Sequence, residues 1–363
     1  LEEAIPALEV NPETGRFSKR AAQHLLAEVY LTRAYKSYGS TTDFDTAASL
    51  AEEAIGGYDI RSQSFSEVFD YDNQVNDEVL FAIQYGAGGD YEDRNNDKHA
   101  ILMNSVDALP GLNRQNPYGF RTGSTMPTDF FYSLFDDNDT REAATVHRVI
   151  YANVEDVVGT DNIAVGDTVV YYPRTAVSAD ELADKLNRYY VYQPDEYYFN
   201  DFPVDVDGAN YLYTENVNST NFPIFKKFDD VGFDESEGGY RDTFIFRVAE
   251  THLIAAEAYL GAGNTASALN HINRVRERAT GVADYYTSID IDTILNERAM
   301  ELAGESSRWN VLKRTGKLEE RIELYNPHVI ANGAFDASVH LLRPIPATEI
   351  TLSGGNIEQN PGY

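Results

Sequence analysis

The sequence predicts a mostly α-helical fold, in which tetratricopeptide-like helical hairpins carry long irregular loops and minor short strands. Two observations lead to this fold class. Apolar residues recur every three or four positions near residues 18–57 and 244–280, a period typical of amphipathic helices. Between these segments Asn, Asp and Gly are frequent, as is typical of loops.

The first predicted hairpin lies close to the N-terminus. Ser18 is a suitable N-cap for its first helix, and Gly39 is a suitable stop. A second helix begins after Asp43 or Asp45 and ends before Gly56. Small alanines occupy positions where the two helices approach each other, which is typical of tetratricopeptide-like units.

The middle of the chain, from about residue 60 to residue 243, has a different sequence pattern, with short apolar segments between long polar stretches. NDEVLFAIQYG and VGDTVVYYP predict short strands, and MPTDFFYSLFDDNDTR predicts a helix that begins at a proline. In that helix we expect four apolar residues to face inward: Phe130, Phe131, Leu134 and Phe135. The polar stretches around these elements predict long loops, where binding groups usually lie.

A second predicted hairpin consists of TFIFRVAETHLIAAEAYLGAGN and TASALNHINRVRERA, with AEAYL at the position that AEVYL holds in the first hairpin. The final LLRPIPATEITLSGGNIEQNPGY predicts an extended, turn-rich tail, because the residue before a proline is pushed away from helical backbone angles. We therefore divide the chain into a helical hairpin (1–60), a loop-rich ligand-binding region (61–243) and a C-terminal helical region with an extended tail (244–363).

The composition narrows the classes of function. With 29 basic and 59 acidic residues the net charge is -30, which would repel nucleic acid and anionic lipid surfaces. The absence of cysteine excludes thiol nucleophiles and cysteine zinc sites. The 25 tyrosines, many in polar stretches, favour a ligand that is half apolar and half hydroxylated, such as a sugar or a peptide.

Sequence motifs give little support to cofactor, metal or hydrolytic chemistry. GAGNTA, at residues 261–266, satisfies a GxGxxA search but follows a predicted helix, so Gly261 and Gly263 are interpreted as helix-end and turn glycines. HExxH, GxSxG and GxxxxGK motifs are absent. Two acidic sets could ligate calcium but do not match the EF-hand spacing, so we interpret them as turns: Asp136, Asp137 and Asp139, and Asp205 and Asp207. No catalytic residue, metal ligand or cofactor is predicted.

The stretch ERAMELAGESSRW, at residues 297–309, concentrates charge on a helix. Arg298 lies on an apolar stripe with Ile291, Ile294, Leu295 and Leu302, so its guanidinium should be buried and paired. The expected partners are Glu301 and the adjacent Glu297 and Glu305, or carboxylates of a packed neighbour. An arginine-bound carboxylate is a poor general acid. We therefore predict a structural role for Arg298, Glu301 and Glu305.

Several of these segments resemble the SusD/RagB family of outer-membrane nutrient-binding lipoproteins. The resemblance includes INRVRERAT, LNERAMELAGESSRWNVLKRTGKL and the PIPATEI...QNPGY ending. It implies a SusD-like α-α superhelix. It also implies a structural role for Arg308 and Trp309, which stand in the family's RW motif. It also implies that this chain is the C-terminal majority of a longer protein, whose signal peptide, lipid-bearing cysteine and further helices would precede residue 1.

The same resemblance implies a non-enzymatic surface protein of polysaccharide utilisation and carbohydrate transport. Such a protein captures oligosaccharides on the extracellular face of the outer membrane, is lipid-anchored there, and delivers them to a SusC-like TonB-dependent barrel. Family ligands are held on loops above the helical scaffold, so the expected ligand-binding residues are Tyr91, Asn95 and Asn96 in one loop and Tyr118, Phe120 and Arg121 in another. Peptide cargo, a glycoside hydrolase and a protein-interaction scaffold are the alternatives.

Overall fold

A computed structural model describes most of the chain, in two compact units. The described residues are 1–85, 96, 98–102, 106–115, 117–118, 125–186, 188–194, 222–231, 239–305, 308–326, 329, 333 and 335–363. Those up to residue 305 belong to the first unit, and those from residue 308 onward belong to the second. The first unit includes residues from all three regions that the sequence distinguishes.

The predicted mostly helical class is confirmed. Among the described residues of the first unit, the α-helices are α1 (Lys19–Ala34), α2 (Asp43–Ile55), α3 (Phe65–Val68), α4 (Lys98–Ile101), α5 (Asp129–Ser133), α6 (Arg141–Thr145), α7 (Ala179–Leu186), α8 (Val248–Gly261), α9 (Thr265–Thr280) and α10 (Ile291–Glu301). Short 3-10 helices lie at Ile5–Ala7, Ile60–Ser62, Tyr71–Asn73 and Val106–Ala108. Among the described residues, no helix combines the length and apolar character that a membrane crossing requires.

The first hairpin forms as predicted, with one difference at its turn. The Ser18 hydroxyl accepts the Ala21 N–H and caps α1, and α2 ends at Gly56 with φ of 60°. Helix α1 ends at Ala34, before Gly39. Gly39 instead serves the connecting turn, because a Cβ there would lie 2.4 Å from the Arg33 carbonyl oxygen.

Alanines hold the helical layers close together. A buried cluster joins α1, α2 and α8, and its members are Ala27, Leu31, Ala47, Ala48, Ala51, Ile254, Ala255 and Ala258. Small side chains let the backbones approach, so the two hairpins stack on each other through α2 and α8. Helix α9 packs on α8 with Ile272 and Val275 in an adjacent buried cluster.

The strands are short and mostly antiparallel. Strand β1 (Val79–Ile83) pairs with β9 (Thr243–Arg247), β2 (Val146–His147) with β8 (Ile224–Phe225), and β4 (Asp156–Val158) with β5 (Asp161–Ile163). Strand β6 (Thr168–Tyr171) lies between β3 (Val149–Tyr151), which is antiparallel to it, and β7 (Tyr190–Val191), which is parallel. The predicted strands at NDEVLFAIQYG and VGDTVVYYP are thus confirmed, whereas TFIFR, placed in the second hairpin from its sequence, forms β9.

Two details of the predicted elements need correction. The helix at MPTDFFYSLF is only the short α5, in which Phe131 and Tyr132 are buried and Phe130 is partly exposed. Beyond the end of α5, Leu134 is partly exposed and Phe135 is buried. The second unit contains α11 (Arg308–Arg314), α12 (Leu318–Tyr325), α13 (Ala337–His340) and α14 (Ala347–Leu352). Helix α14 follows Pro346 within the tail that was predicted to be extended. A proline just before a helix is tolerated because it costs no intrahelical hydrogen bond.

Candidate functional site

Six loop residues were predicted to bind ligand, and the structure describes two of them. Tyr91, Asn95, Phe120 and Arg121 lie outside the described residues. Asn96 and Tyr118 are described, and both are buried, with exposed fractions of 7% and 2%. These two residues therefore show how the ends of the predicted loops are attached to the scaffold.

Asn96 anchors the end of the first predicted loop. Its side-chain amide donates to the Arg241 carbonyl oxygen and, at 3.2 Å, to the Thr243 hydroxyl, and its Oδ1 accepts the Lys98 N–H at 3.0 Å. All these groups are protein groups that a ligand would have to displace. The expectation that Asn96 contacts ligand is therefore corrected: it connects the loop to β9 and α4.

Tyr118 anchors the start of the second predicted loop. Its ring belongs to a buried cluster with Ile150, Val169 and Val170, and its hydroxyl accepts the Tyr151 N–H at 2.8 Å. Burial raises the pKa of this hydroxyl to about 12. Because neither face of the ring is open, Tyr118 is a core residue and not the expected sugar platform.

The C-terminal end of each predicted loop attaches to the short helix α4. Asn96 and Lys98 lead into α4 from the first loop, and the Thr125 hydroxyl, after the second loop, donates to the Ile101 carbonyl oxygen at 2.7 Å. Tyr85, before the first loop, donates its N–H to Asp242 at 3.0 Å. We call these six residues the loop base. It places the C-terminal end of each loop beside α4.

A network of buried charges underlies this region, with Glu301 at its centre. Glu301 is fully buried and accepts hydrogen bonds from Arg141 at 3.1 Å, Arg247 at 3.1 Å and Arg278. Burial raises the pKa of its carboxyl, but the surrounding cations, led by Arg278, outweigh burial and hold the pKa well below its usual value. Glu301 is therefore a permanent anion.

Glu78 and Glu305 extend the network toward the strands. Glu78 precedes β1 and binds Arg247 and Arg278, and Glu305 binds Arg247 at 2.8 Å and the buried Lys227. Burial lowers the pKa of Lys227 to about 8. The pKa of Glu305 is lowered, because Arg247 and Lys227 outweigh the opposite effect of burial.

A second branch connects the acidic turn after α5 to α9 and α10. Asp139 binds both Arg141 and Arg276 at 2.7 Å, and Glu297 binds Arg141 at 2.7 Å and the Tyr286 hydroxyl at 2.8 Å. Asp136 also binds Arg276. Asp136 and Asp139 thus bind arginines at the turn. In the described part of the chain no group of acidic and histidine side chains is arranged to hold a metal ion.

Arg298 is buried as predicted, but its partner is not Glu301. Its Nη2 lies 2.8 Å from Glu250 Oε1, on α8, and its exposed fraction is 4%. Glu301 instead faces the arginines of three other elements. The alternative of a carboxylate from a packed neighbour is therefore the one observed.

The remaining residues of the charged stretch lie in the second unit. Arg308 begins α11 and is partly buried, as is Trp309. The Trp309 ring meets the Phe335 ring edge to face at 6.2 Å, and the Arg343 guanidinium lies 5.6 Å from the Trp309 ring centre. These contacts favour the predicted structural role of Trp309.

Most members of the network were missed by sequence reasoning, because Glu78, Arg141, Arg247 and Arg278 are far apart in the chain and each is one charge among many. The one signal that could have identified them was a charged residue on the inward face of a short helix or strand. Gly263, in contrast, was interpreted correctly: it follows α8 with φ of 79°.

Stacked helical hairpins and a buried ionic network define a helical scaffold to which the ends of the two predicted loops are attached. A family model described as the SusD family matches residues 77–363. The chain belongs to the SusD family, as its sequence motifs predicted.

Individual relatives agree with this assignment. The SusD-like protein P2 of Formosa agariphila is 27% identical over 372 residues, which cover 95% of this chain and 60% of the relative. The starch-binding protein SusD of Bacteroides thetaiotaomicron is 24% identical, with coverage of 96% and 61%. The solved structure of a laminarin-binding SusD-like protein shares the fold with a TM-score of 0.62 and 23% identity, covering 100% of this chain and 67% of that one. The chain spans about three fifths of these curated relatives.

Proposed function

We propose that this chain is part of a surface glycan-binding protein, which captures oligosaccharides and delivers them to a SusC-like TonB-dependent transporter. The observation that carries the proposal is the loop base. Because Thr125 binds Ile101 of α4 and Asn96 leads into α4, the loops holding Tyr91, Asn95, Phe120 and Arg121 both end beside this helix. Residues from both could then contact one ligand.

The relatives support a carbohydrate as that ligand. One is described as starch-binding and another as laminarin-binding. Sugars present C–H faces that pack on aromatic rings and hydroxyls that hydrogen-bond to amide, carboxylate and guanidinium groups. Tyrosine, asparagine, phenylalanine and arginine in the two loops supply this combination.

The buried network supports binding without bond cleavage. A glycosidase needs a carboxylic acid that is protonated near neutral pH and open to substrate. Glu301 and Glu305 are the reverse: both are buried, and the pKa of each is lowered by its cations. In this proposal the network keeps the scaffold rigid, so that little ordering is needed when ligand binds.

The proposed location is the extracellular face of the outer membrane, with attachment through a lipid outside this chain. At that location, the barrel partner would carry the captured oligosaccharide across the outer membrane. Co-purification of the full-length protein with a TonB-dependent barrel would test the partnership. Recovery with other partners and no barrel would favour an interaction scaffold instead.

Isothermal titration calorimetry of the full-length protein against starch, laminarin and neutral hexasaccharides tests the cargo. We expect binding to at least one, and we expect the double variant Tyr91→Ala/Phe120→Ala to weaken it at least about tenfold, since one lost aromatic contact accounts for that factor. Tyr38→Ala is the matched control, because Tyr38 is 76% exposed and lies in the turn between α1 and α2.

Three results would contradict the proposal. Absence of binding to every glycan, together with a peptide identified in the purified protein by mass spectrometry, would assign the peptide cargo. Equal affinities of the loop variant and the control would place the glycan site elsewhere. Release of reducing sugar by the purified protein, lost on changing one carboxylate, would make it a hydrolase.

A further inference from the structure

A cleft of about 840 Å³ opens beside the three-stranded sheet, and none of the loop base residues lines it. Its walls are formed by Pro110, by the β4–β5 hairpin and by the start of β6, together with Leu186, Arg188, Tyr189 and Tyr190. This volume lies within the range that small-ligand sites occupy, about 300–1,000 Å³. The cleft is therefore large enough for an oligosaccharide segment.

The hairpin wall of the cleft is held in place by its neighbours. Gly111 donates its N–H to Asp156 at 2.9 Å, and its carbonyl oxygen accepts the Asn153 N–H at 3.0 Å. Gly111 has φ of 78°, and a Cβ there would lie 2.8 Å from the Ile163 side chain. The turn at Gly111 thus packs tightly on the β4–β5 hairpin and holds this wall of the cleft in place.

Two consecutive tyrosines form the opposite wall. Tyr190 is 41% exposed at the start of β7, and Tyr189 is partly buried. The Arg188 guanidinium lies 5.5 Å from the centre of the Tyr189 ring, and Lys185 donates to the Tyr189 hydroxyl at 3.3 Å. Tyr189 is thus fixed by cations, while Tyr190 offers an open aromatic surface.

Both apolar and polar side chains line the rest of the cleft. Val158 and Leu186 are about half exposed, at 46% and 54%, so a ligand that covered them would remove apolar surface from water. Asp161, Asn162 and Asp167 line the same cleft and are exposed. Carboxylate and amide oxygens accept hydrogen bonds from hydroxyl groups, so this wall suits a polyhydroxylated ligand.

The charges of the cleft select against acidic ligands. Two carboxylates line it, whereas its one arginine, Arg188, already binds Asp184 at 2.5 Å. The chain as a whole carries a net charge of -30. A uronate or a sulfated sugar would be repelled both by the carboxylates of the cleft and by the net charge of the chain, whereas a neutral sugar would not.

We propose that this cleft is a second carbohydrate-binding site, separate from the predicted loop site, and that it takes neutral oligosaccharides. The inference rests on the proposed glycan-binding function. It adds a site with its own residues and a preference for uncharged chains. Two sites on one scaffold would hold a long glycan more firmly than either site alone.

Hydrogen–deuterium exchange of the full-length protein tests occupancy directly. The probes are neutral hexasaccharides (laminarihexaose, maltohexaose, xylohexaose and mannohexaose) and the acidic hexagalacturonate. We expect a neutral probe to slow exchange in residues 156–169 and 186–191, and hexagalacturonate to leave both segments unchanged. Greater protection by the acidic probe would overturn the charge argument.

Calorimetry of cleft variants separates the two sites. We expect Tyr190→Ala to remove one binding equivalent or to weaken it at least about tenfold, while Tyr38→Ala binds like the parent. Unchanged stoichiometry and affinity in Tyr190→Ala, with glycan still bound by the parent, would overturn the cleft proposal and leave glycan binding intact. If no probe binds the parent protein, the proposed function and the cleft site both fail.

Discussion

Arg298 shows how a single charged side chain is accommodated in this core. Its guanidinium is nearly inaccessible, and it donates to Glu250 at 2.8 Å. A buried ion pair need not exceed an apolar pair in stability, but its members depend on each other, because an unpaired buried charge is costly. The effect of the pair on stability should therefore be largest when a substitution removes one member and leaves the other buried and unpaired.

We expect Arg298→Ala to lower the free energy of unfolding by about 3 to 5 kcal/mol, because Glu250 would stay buried without its partner. Urea unfolding monitored by circular dichroism measures this quantity. Arg16→Ala is the control: Arg16 pairs with Glu13 on the surface, where both side chains are largely exposed, and we expect no clear change. A loss below about 1 kcal/mol for Arg298→Ala would contradict the buried pairing.

The sequence predicted that Arg298 is buried, but it did not identify Glu250 as its partner. The apolar period of the helix placed Arg298 inside, because helical spacing is a local property. Glu250 lies 48 residues earlier in the chain, and nothing local distinguishes it from the other acidic residues. Partner choice depends on how α8 and α10 pack, which is information that the spacing of one helix does not contain.

At the scale of elements, the stacking of helices was predictable and the strands were only partly so. Alanine-rich stripes identified the hairpins, since close helix contact requires small side chains. TFIFR was placed in the second hairpin because it adjoins a strong helical pattern, yet it pairs with Val79–Ile83 as β9. A strand whose partner is distant in sequence carries no local signal of that pairing.

His24 ties α1 to α8 and makes their contact sensitive to pH. Its ring is fully buried, and Nδ1 lies 2.8 Å from the Thr251 hydroxyl. The surrounding charges are Glu28 on the same helix, and Glu250 and Arg298, which bind each other. Burial is the largest effect and lowers the pKa of His24 from 6.5 to about 4. The folded protein therefore keeps this ring neutral in mild acid.

We expect mild acid to destabilise the α1–α8 contact through His24. Between pH 6.5 and about 4 the unfolded chain binds a proton that the folded chain does not, so the free energy of unfolding falls as pH falls. His24→Gln removes this effect. From about pH 7 to about pH 4.5 the variant should lose about 2 to 3 kcal/mol less than the parent in urea unfolding. Parallel pH curves for the two proteins would contradict the assignment.

The whole molecule combines a balanced interior with an unbalanced total charge. The buried carboxylates are matched by arginines and Lys227, whereas the chain carries a net charge of -30. The excess of negative charge must therefore lie largely outside the buried network. Composition predicted the excess, but it could not show that the interior pairs its own charges. The loop residues expected to hold ligand lie mostly outside the described residues, so that part of the site stays a prediction.

This separation of charge predicts an opposite response to salt from that of a protein held by surface ion pairs. Raising NaCl from about 20 mM to about 0.5 M screens repulsion between exposed carboxylates, while buried pairs are screened little. We expect the thermal unfolding midpoint to rise by a few degrees, as measured by calorimetry at neutral pH. Arg298→Ala should show the same rise from a lower starting midpoint, since its missing pair is buried. A falling midpoint would mean that exposed ion pairs, not the buried network, dominate the electrostatic part of the stability.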